Sequence, residues 1–89
     1  MKQPDPRIEC VDGTTLSVQA SRYCYCEPRD DDGPYVRKEV GFICGADGAP
    51  LTPPSSWADF ADGEFPSDVY GYVPVEMIEE FIVEHGGRK

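Results

Sequence analysis

The sequence predicts an α+β fold: a three- to four-stranded, mostly antiparallel sheet with one C-terminal amphipathic helix packed on one face. Three observations carry that prediction. Alternating residues flank an Asp12-Gly13 turn, a second alternating run follows a Pro-rich acidic loop, and apolar residues recur at helical spacing near the C-terminus.

The elements follow in chain order. Residues 7 to 11 alternate, Asp12-Gly13 is a tight-turn signal, and residues 14 to 26 read as a long strand, so the two runs form a hairpin. Period two places Leu16, Val18, Ala20, Cys24 and Cys26 toward the core, with Ser17, Gln19, Tyr23 and Tyr25 on the other face. Residues 27 to 34 contain Pro28, Asp30, Asp31, Asp32, Gly33 and Pro34, which suit an exposed loop and no central strand. Residues 35 to 44 form the next strand. A symmetric fold-back over the loop sets Phe42 opposite Ala20, Val40 opposite Arg22, Val36 opposite Cys26 and Cys44 opposite Val18, with Val36, Val40 and Phe42 facing inward.

Residues 45 to 66 are a long connection rich in Gly, Pro and Asp, with Ser55 to Phe60 as a single helical turn capped by Ser. Its aromatic residues Trp57, Phe60 and Phe65 argue for order, either as a lid on the core or as an exposed patch for a partner. Residues 67 to 73 alternate Val69, Gly71 and Val73 against Tyr70 and Tyr72 as a short strand, and Pro74 suits the first turn of a helix. In residues 74 to 85, Val75, Ile78, Phe81 and Ile82 share one face, Glu76, Glu79, Glu80 and Glu84 the other, and Gly86 takes the C′ position.

The 89 residues are one domain's worth of chain, and 39% hydrophobic with 11% aromatic content is too much for a disordered polypeptide. The net charge of −9 is uneven: residues 1 to 44 hold eight acids and six bases, residues 45 to 89 nine acids and two bases. Such acidity argues against direct binding to nucleic acid or to an anionic membrane, because gripping phosphates requires a positive surface. It can instead attract the basic groove of a protein that itself binds nucleic acid, or serve solubility alone. No apolar run approaches the roughly 20 residues that span a bilayer, and residues 1 to 6 have no apolar export region, so a cytoplasmic location with reduced thiols is expected.

Zinc is the sharpest metal hypothesis, because Cys10, Cys24, Cys26, Cys44 and His85 are possible ligands. Their spacing is poor. In the register above Cys44 lies beside Val18, about 20 Å along the strand from Cys24, which one ion cannot span. Neither a metal nor a cofactor is expected. His85 precedes Gly86-Gly87, where helix capping accounts for it, and no second histidine could serve a nucleophile as base. Asp30-Asp31-Asp32-Gly33 lacks the alternate acids of a calcium loop. These readings point to a non-enzymatic protein.

The phrases Ser17-Val18-Gln19-Ala20, Tyr25-Cys26-Glu27-Pro28-Arg29, Val40-Gly41-Phe42, Val69-Tyr70-Gly71-Tyr72-Val73-Pro74-Val75 and Glu84-His85-Gly86-Gly87 resemble a family of small uncharacterised proteins of bacteriophages and prophages. The resemblance implies a phage context and transfers no catalytic motif. By analogy, small acidic proteins of such a context resemble inhibitors of host defence, including anti-CRISPR proteins that act as DNA mimics. A phage structural or morphogenesis accessory and a zinc-stabilised adaptor are the alternatives. The expected partner-binding surface comprises Asp30, Asp31 and Asp32 in one loop, Asp59, Asp62 and Glu64 with Trp57 and Phe60 in the long connection, and Glu76, Glu79, Glu80 and Glu84 on the helix.

Overall fold

A computed structural model describes residues 3–89. Four strands, β1 (Ile8–Glu9), β2 (Thr15–Gln19), β3 (Arg37–Cys44) and β4 (Val69–Pro74), form a meander in the order β1-β2-β3-β4 with every neighbouring pair antiparallel. A helix, α1 (Val75–Glu84), follows β4 directly. Its Ile78, Phe81 and Ile82 are buried in one cluster with Leu16, Val18, Val40, Ile43, Tyr70 and Val73 from the sheet. The α+β architecture therefore has the sheet and terminal helix that the sequence implies.

The first turn forms as its residues dictate. Gly13 adopts φ +95°, a left-handed conformation that glycine reaches without steric cost, and a Cβ there would lie 2.6 Å from the Cβ of Ala46. The Thr14 N–H donates to Asp12 Oδ1 at 2.9 Å and the Cys10 N–H to the Thr14 carbonyl at 2.8 Å. The strands are shorter than expected: β1 covers only Ile8–Glu9, and β2 ends at Gln19, not at residue 26. Beyond Gln19 local bonds replace the ladder. The Tyr23 N–H donates to Ser21 Oγ at 3.2 Å and the Cys24 N–H to the Ser21 carbonyl at 3.1 Å, the competition that short hydroxyl side chains offer to regular structure. Ala20 and Cys26 are nevertheless buried and Tyr23 and Tyr25 exposed, as their expected faces require, whereas Cys24, expected to face the core, is only half-buried in the turn that Ser21 organises.

The expected pairing of the central strands is wrong by four residues. Ser17 lies opposite Gly41, Val18 opposite Val40 and Gln19 opposite Glu39, because the whole stretch from residue 20 to residue 36 is connection and the fold-back is centred nearer β2. An even slip preserves faces, so Val40 is still buried. Two bulges then change parity. Between the pairs Ser17–Gly41 and Thr15–Cys44, β3 holds one extra residue; Phe42 takes φ +50° and turns outward, 58% exposed, while Ile43 turns inward. Val36 precedes β3 and is also exposed, so neither it nor Phe42 faces the core. Between Lys38–Val73 and Val40–Tyr70 the extra residue lies in β4, where Tyr72 takes φ +58°. Tyr70 and Val73 consequently share the core face, and the expected grouping of Val69 and Gly71 with Val73 fails.

The segment spanning residues 45 to 66 is folded against the core. A 3₁₀ helix (Ser55–Phe60) follows Pro54, which occupies the cap position with no side-chain capping bond, so the expected Ser cap is absent there. Trp57 from this turn packs edge-on against Tyr70 at 5.6 Å and against Phe81 at 5.5 Å between ring centroids. Both outer strands are bordered. The Lys89 N–H donates to Glu9 and the Val11 N–H to Gly87 beside β1; the Asp62 N–H donates to Val69 and the Tyr72 N–H to Tyr25 beside β4. Pro74 ends β4 and caps α1, so no loop separates them. At the other end the Gly86 N–H reaches Val83 and the Gly87 N–H reaches Ile82, a Schellman closure with Gly86 at φ +93°.

Candidate functional site

The expected site residues separate into three groups once side-chain partners are considered. Trp57, 2% exposed, is a core residue, and Phe60 is half-buried against the same cluster. The long connection turns its large aromatic rings toward the sheet because Trp57 fills the space between Tyr70 and Phe81. Trp57 therefore offers a partner no surface.

A second group of carboxylates is occupied within the fold. Asp30 Oδ1 accepts the N–H groups of Asp32 and Gly33, both at 3.0 Å, and so builds its own loop. Asp31 accepts the Arg22 N–H at 3.0 Å and lies 3.4 Å from Arg22 Nε. Glu79 receives two guanidinium bonds from Arg88, at 2.7 and 3.0 Å, and this contact holds its carboxyl below the usual glutamate range. Asp30, Asp31 and Glu79 are all in the expected partner-binding surface, yet Asp30 is engaged by backbone N–H groups and Asp31 and Glu79 by arginines of the chain itself. Linear sequence gave no sign of the correction, because Arg22 and Arg88 approach only through the turn after β2 and the turn after α1.

The third group is exposed and uncompensated. Asp59, Asp62 and Glu64 in the long connection and Glu76, Glu80 and Glu84 on α1 are all exposed, and none forms an ion pair among the described residues. Asp32 is exposed too, at the tip of the loop that Asp30 organises. Each carboxylate head stays solvated at the surface, at little desolvation cost. On α1 Val83 is exposed among the glutamates and Val75 is half-buried, which gives the acidic face some apolar surface.

Sequence reasoning missed two aromatic residues that now stand together. Tyr25 crosses to β4, where its carbonyl accepts the Tyr72 N–H at 2.8 Å, and the two rings lie 6.0 Å apart at 30°. Gly71 permits that crossing, since a Cβ there would lie 2.9 Å from Tyr25 Cβ. No residue spacing could reveal this pair, because it depends on the bulge that puts Tyr70 inside and Tyr72 outside.

The one cluster with the composition of a catalytic triad does not have its geometry. His85 Nδ1 lies 2.7 Å from Asp12 Oδ2 and 3.1 Å from Thr14 Oγ1, so carboxylate and hydroxyl address the same ring nitrogen. A proton relay needs them on opposite nitrogens. The cluster instead clips the β1–β2 turn to the end of α1, and the Phe81 ring packs against the imidazole, tilted by 42° with centroids 4.4 Å apart. Asp12 is held below the ordinary aspartate value, first by the Thr14 N–H and then by His85. All four cysteines are free thiols; burial pushes the Cys10 and Cys26 thiols up, away from the reactive thiolate. Among the described residues no group of three or more His, Cys, Asp or Glu side chains is placed to hold a metal ion, and no helix is long and apolar enough to cross a membrane.

Comparison with protein families, with curated proteins and with solved structures finds no match.

Proposed function

We propose that this chain is a non-enzymatic, phage-type binding protein that presents negative charge to a basic, nucleic-acid-binding host protein, as an inhibitor of the DNA-mimic kind found among anti-CRISPR and other anti-defence proteins. The supporting observation is the set of six exposed carboxylates, Asp59, Asp62, Glu64, Glu76, Glu80 and Glu84, that form no ion pair among the described residues, on a chain of net charge −9. Charge left uncompensated in the free protein costs self-repulsion, which a basic partner relieves on binding. Like-signed groups on a rigid helix and an ordered loop also present a fixed pattern, whereas a flexible acidic tail would have to be ordered first.

The test uses the helix face. Reversing Glu76, Glu80 and Glu84 to Lys removes three free carboxylates and spares the Glu79–Arg88 contact, so the fold should persist. Against a basic partner isolated from bacterial lysate, the reversed protein should bind at least about tenfold more weakly. Association of the parent protein should slow as salt rises, since the screening length is about 10 Å at 0.1 M. A partner bound equally by both proteins at low and high salt would refute the proposal.

A further inference from the structure

The groove beside the Tyr25–Tyr72 contact combines features that the acidic helix face lacks. Tyr25 and Tyr72 are each 41% exposed, their rings are inclined by 30° to one another, and Asp59, Phe60, Ala61, Asp62 and Gly71 complete the lining. Tyr72 is held outward by a left-handed φ of +58°, a conformation uncommon for any residue other than glycine, which separates it from the core that its neighbour Tyr70 enters. Asp59 and Asp62 form no ion pair among the described residues and line the groove with Tyr72, whereas the Tyr25 ring already carries the Arg29 guanidinium.

We infer that this groove receives an arginine side chain of the partner. A planar guanidinium stacks on aromatic faces while its edge N–H groups donate to carboxylates, a double demand that an ammonium meets less well. The chain itself makes the first half of this interaction twice: the Arg29 guanidinium carbon lies 5.6 Å from the Tyr25 ring centroid and that of Arg22 lies 5.2 Å from the Tyr23 ring. Asp31 supplies the second half to Arg22, its Oδ2 lying 3.4 Å from the Nε, and in the groove Asp59 and Asp62 offer it to an arginine of the partner. The inference rests on the reading of the chain as a binder of basic proteins and specifies which side chain it grips.

N-acetylarginine amide, N-acetyllysine amide and the uncharged N-acetylcitrulline amide are titrated into isotopically labelled protein at low salt, with amide shifts recorded. The arginine compound should shift the amides of Ala61, Asp62, Gly71 and Tyr72 with millimolar affinity, the lysine compound should bind about threefold more weakly or worse, and citrulline should produce no saturable shift. Tyr72→Ala, and independently the double substitution Asp59→Asn with Asp62→Asn, should each abolish the response; the second changes only exposed side chains and is expected to leave the fold intact. Shifts confined to the helix glutamates, equal responses to arginine and lysine, or a response unchanged in the Asn variant would overturn the assignment. The helix-reversed protein should retain the groove response, so failure here and failure of the general binding reading are separable.

Discussion

Phe81→Ala tests the packing on which every surface argument depends. Phe81 is 2% exposed, contacts the Trp57 ring at 5.5 Å and the His85 ring at 4.4 Å, and stands in the middle of the helix stripe facing the sheet. Removing a buried phenylalanine side chain costs about 3 to 5 kcal/mol through lost transfer energy and the cavity left behind. A chain of 89 residues has about 4 to 13 kcal/mol of total stability at typical values per residue. The variant should therefore stand close to its folding threshold, with Tm lowered by at least about 12 °C. Urea unfolding followed by Trp57 fluorescence gives the difference directly, because the single tryptophan passes from a buried site to water. Circular dichroism should report the same midpoint. A loss under about 1 kcal/mol, with the native tryptophan spectrum unchanged, would mean that α1 does not pack as described.

Three further outcomes follow from particular residues. Phe42 is exposed and at φ +50°, so Phe42→Asn should leave stability within about 1 kcal/mol of the parent in urea unfolding, whereas β-branched Phe42→Val should be clearly less stable. Asp12 has a carboxyl value lower in the fold than in the unfolded chain, so its stabilising effect is fully present above the ordinary value and is lost as pH falls through the folded one; Asp12→Asn should flatten the decline in Tm between about pH 5 and pH 2. Thiol titration of the unfolded, non-reduced protein should count four free cysteines, and a chelator should leave Tm unchanged; chelator-induced unfolding would reveal a structural metal.

The parts of the fold written in local chemistry were legible in the sequence. Asp12-Gly13 specified its turn through side-chain capping and a left-handed glycine, and Ile78, Phe81, Ile82 and Gly86 specified the helix and its end. The register was not legible, since it depends on where Ser21 diverts the chain from the ladder and on two bulges whose left-handed residues are the aromatic Phe42 and Tyr72 and not glycine. The acidic character of the surface could be read from composition, but the division between occupied and free carboxylates could not. Asp31 and Glu79 are neutralised by arginines 9 residues away in sequence, and the Tyr25–Tyr72 contact joins residues on separate elements.

The proposed function requires that the exposed carboxylates of the connection and of α1 bind a basic protein. Capture from bacterial lysate on immobilised parent protein and on the Glu76→Lys, Glu80→Lys, Glu84→Lys variant, with stepwise salt elution and mass spectrometry, tests it most directly. The parent should retain a basic nucleic-acid-binding protein that elutes as salt rises and that the variant fails to hold. Retention of the same protein by both, resistant to salt, would contradict the account.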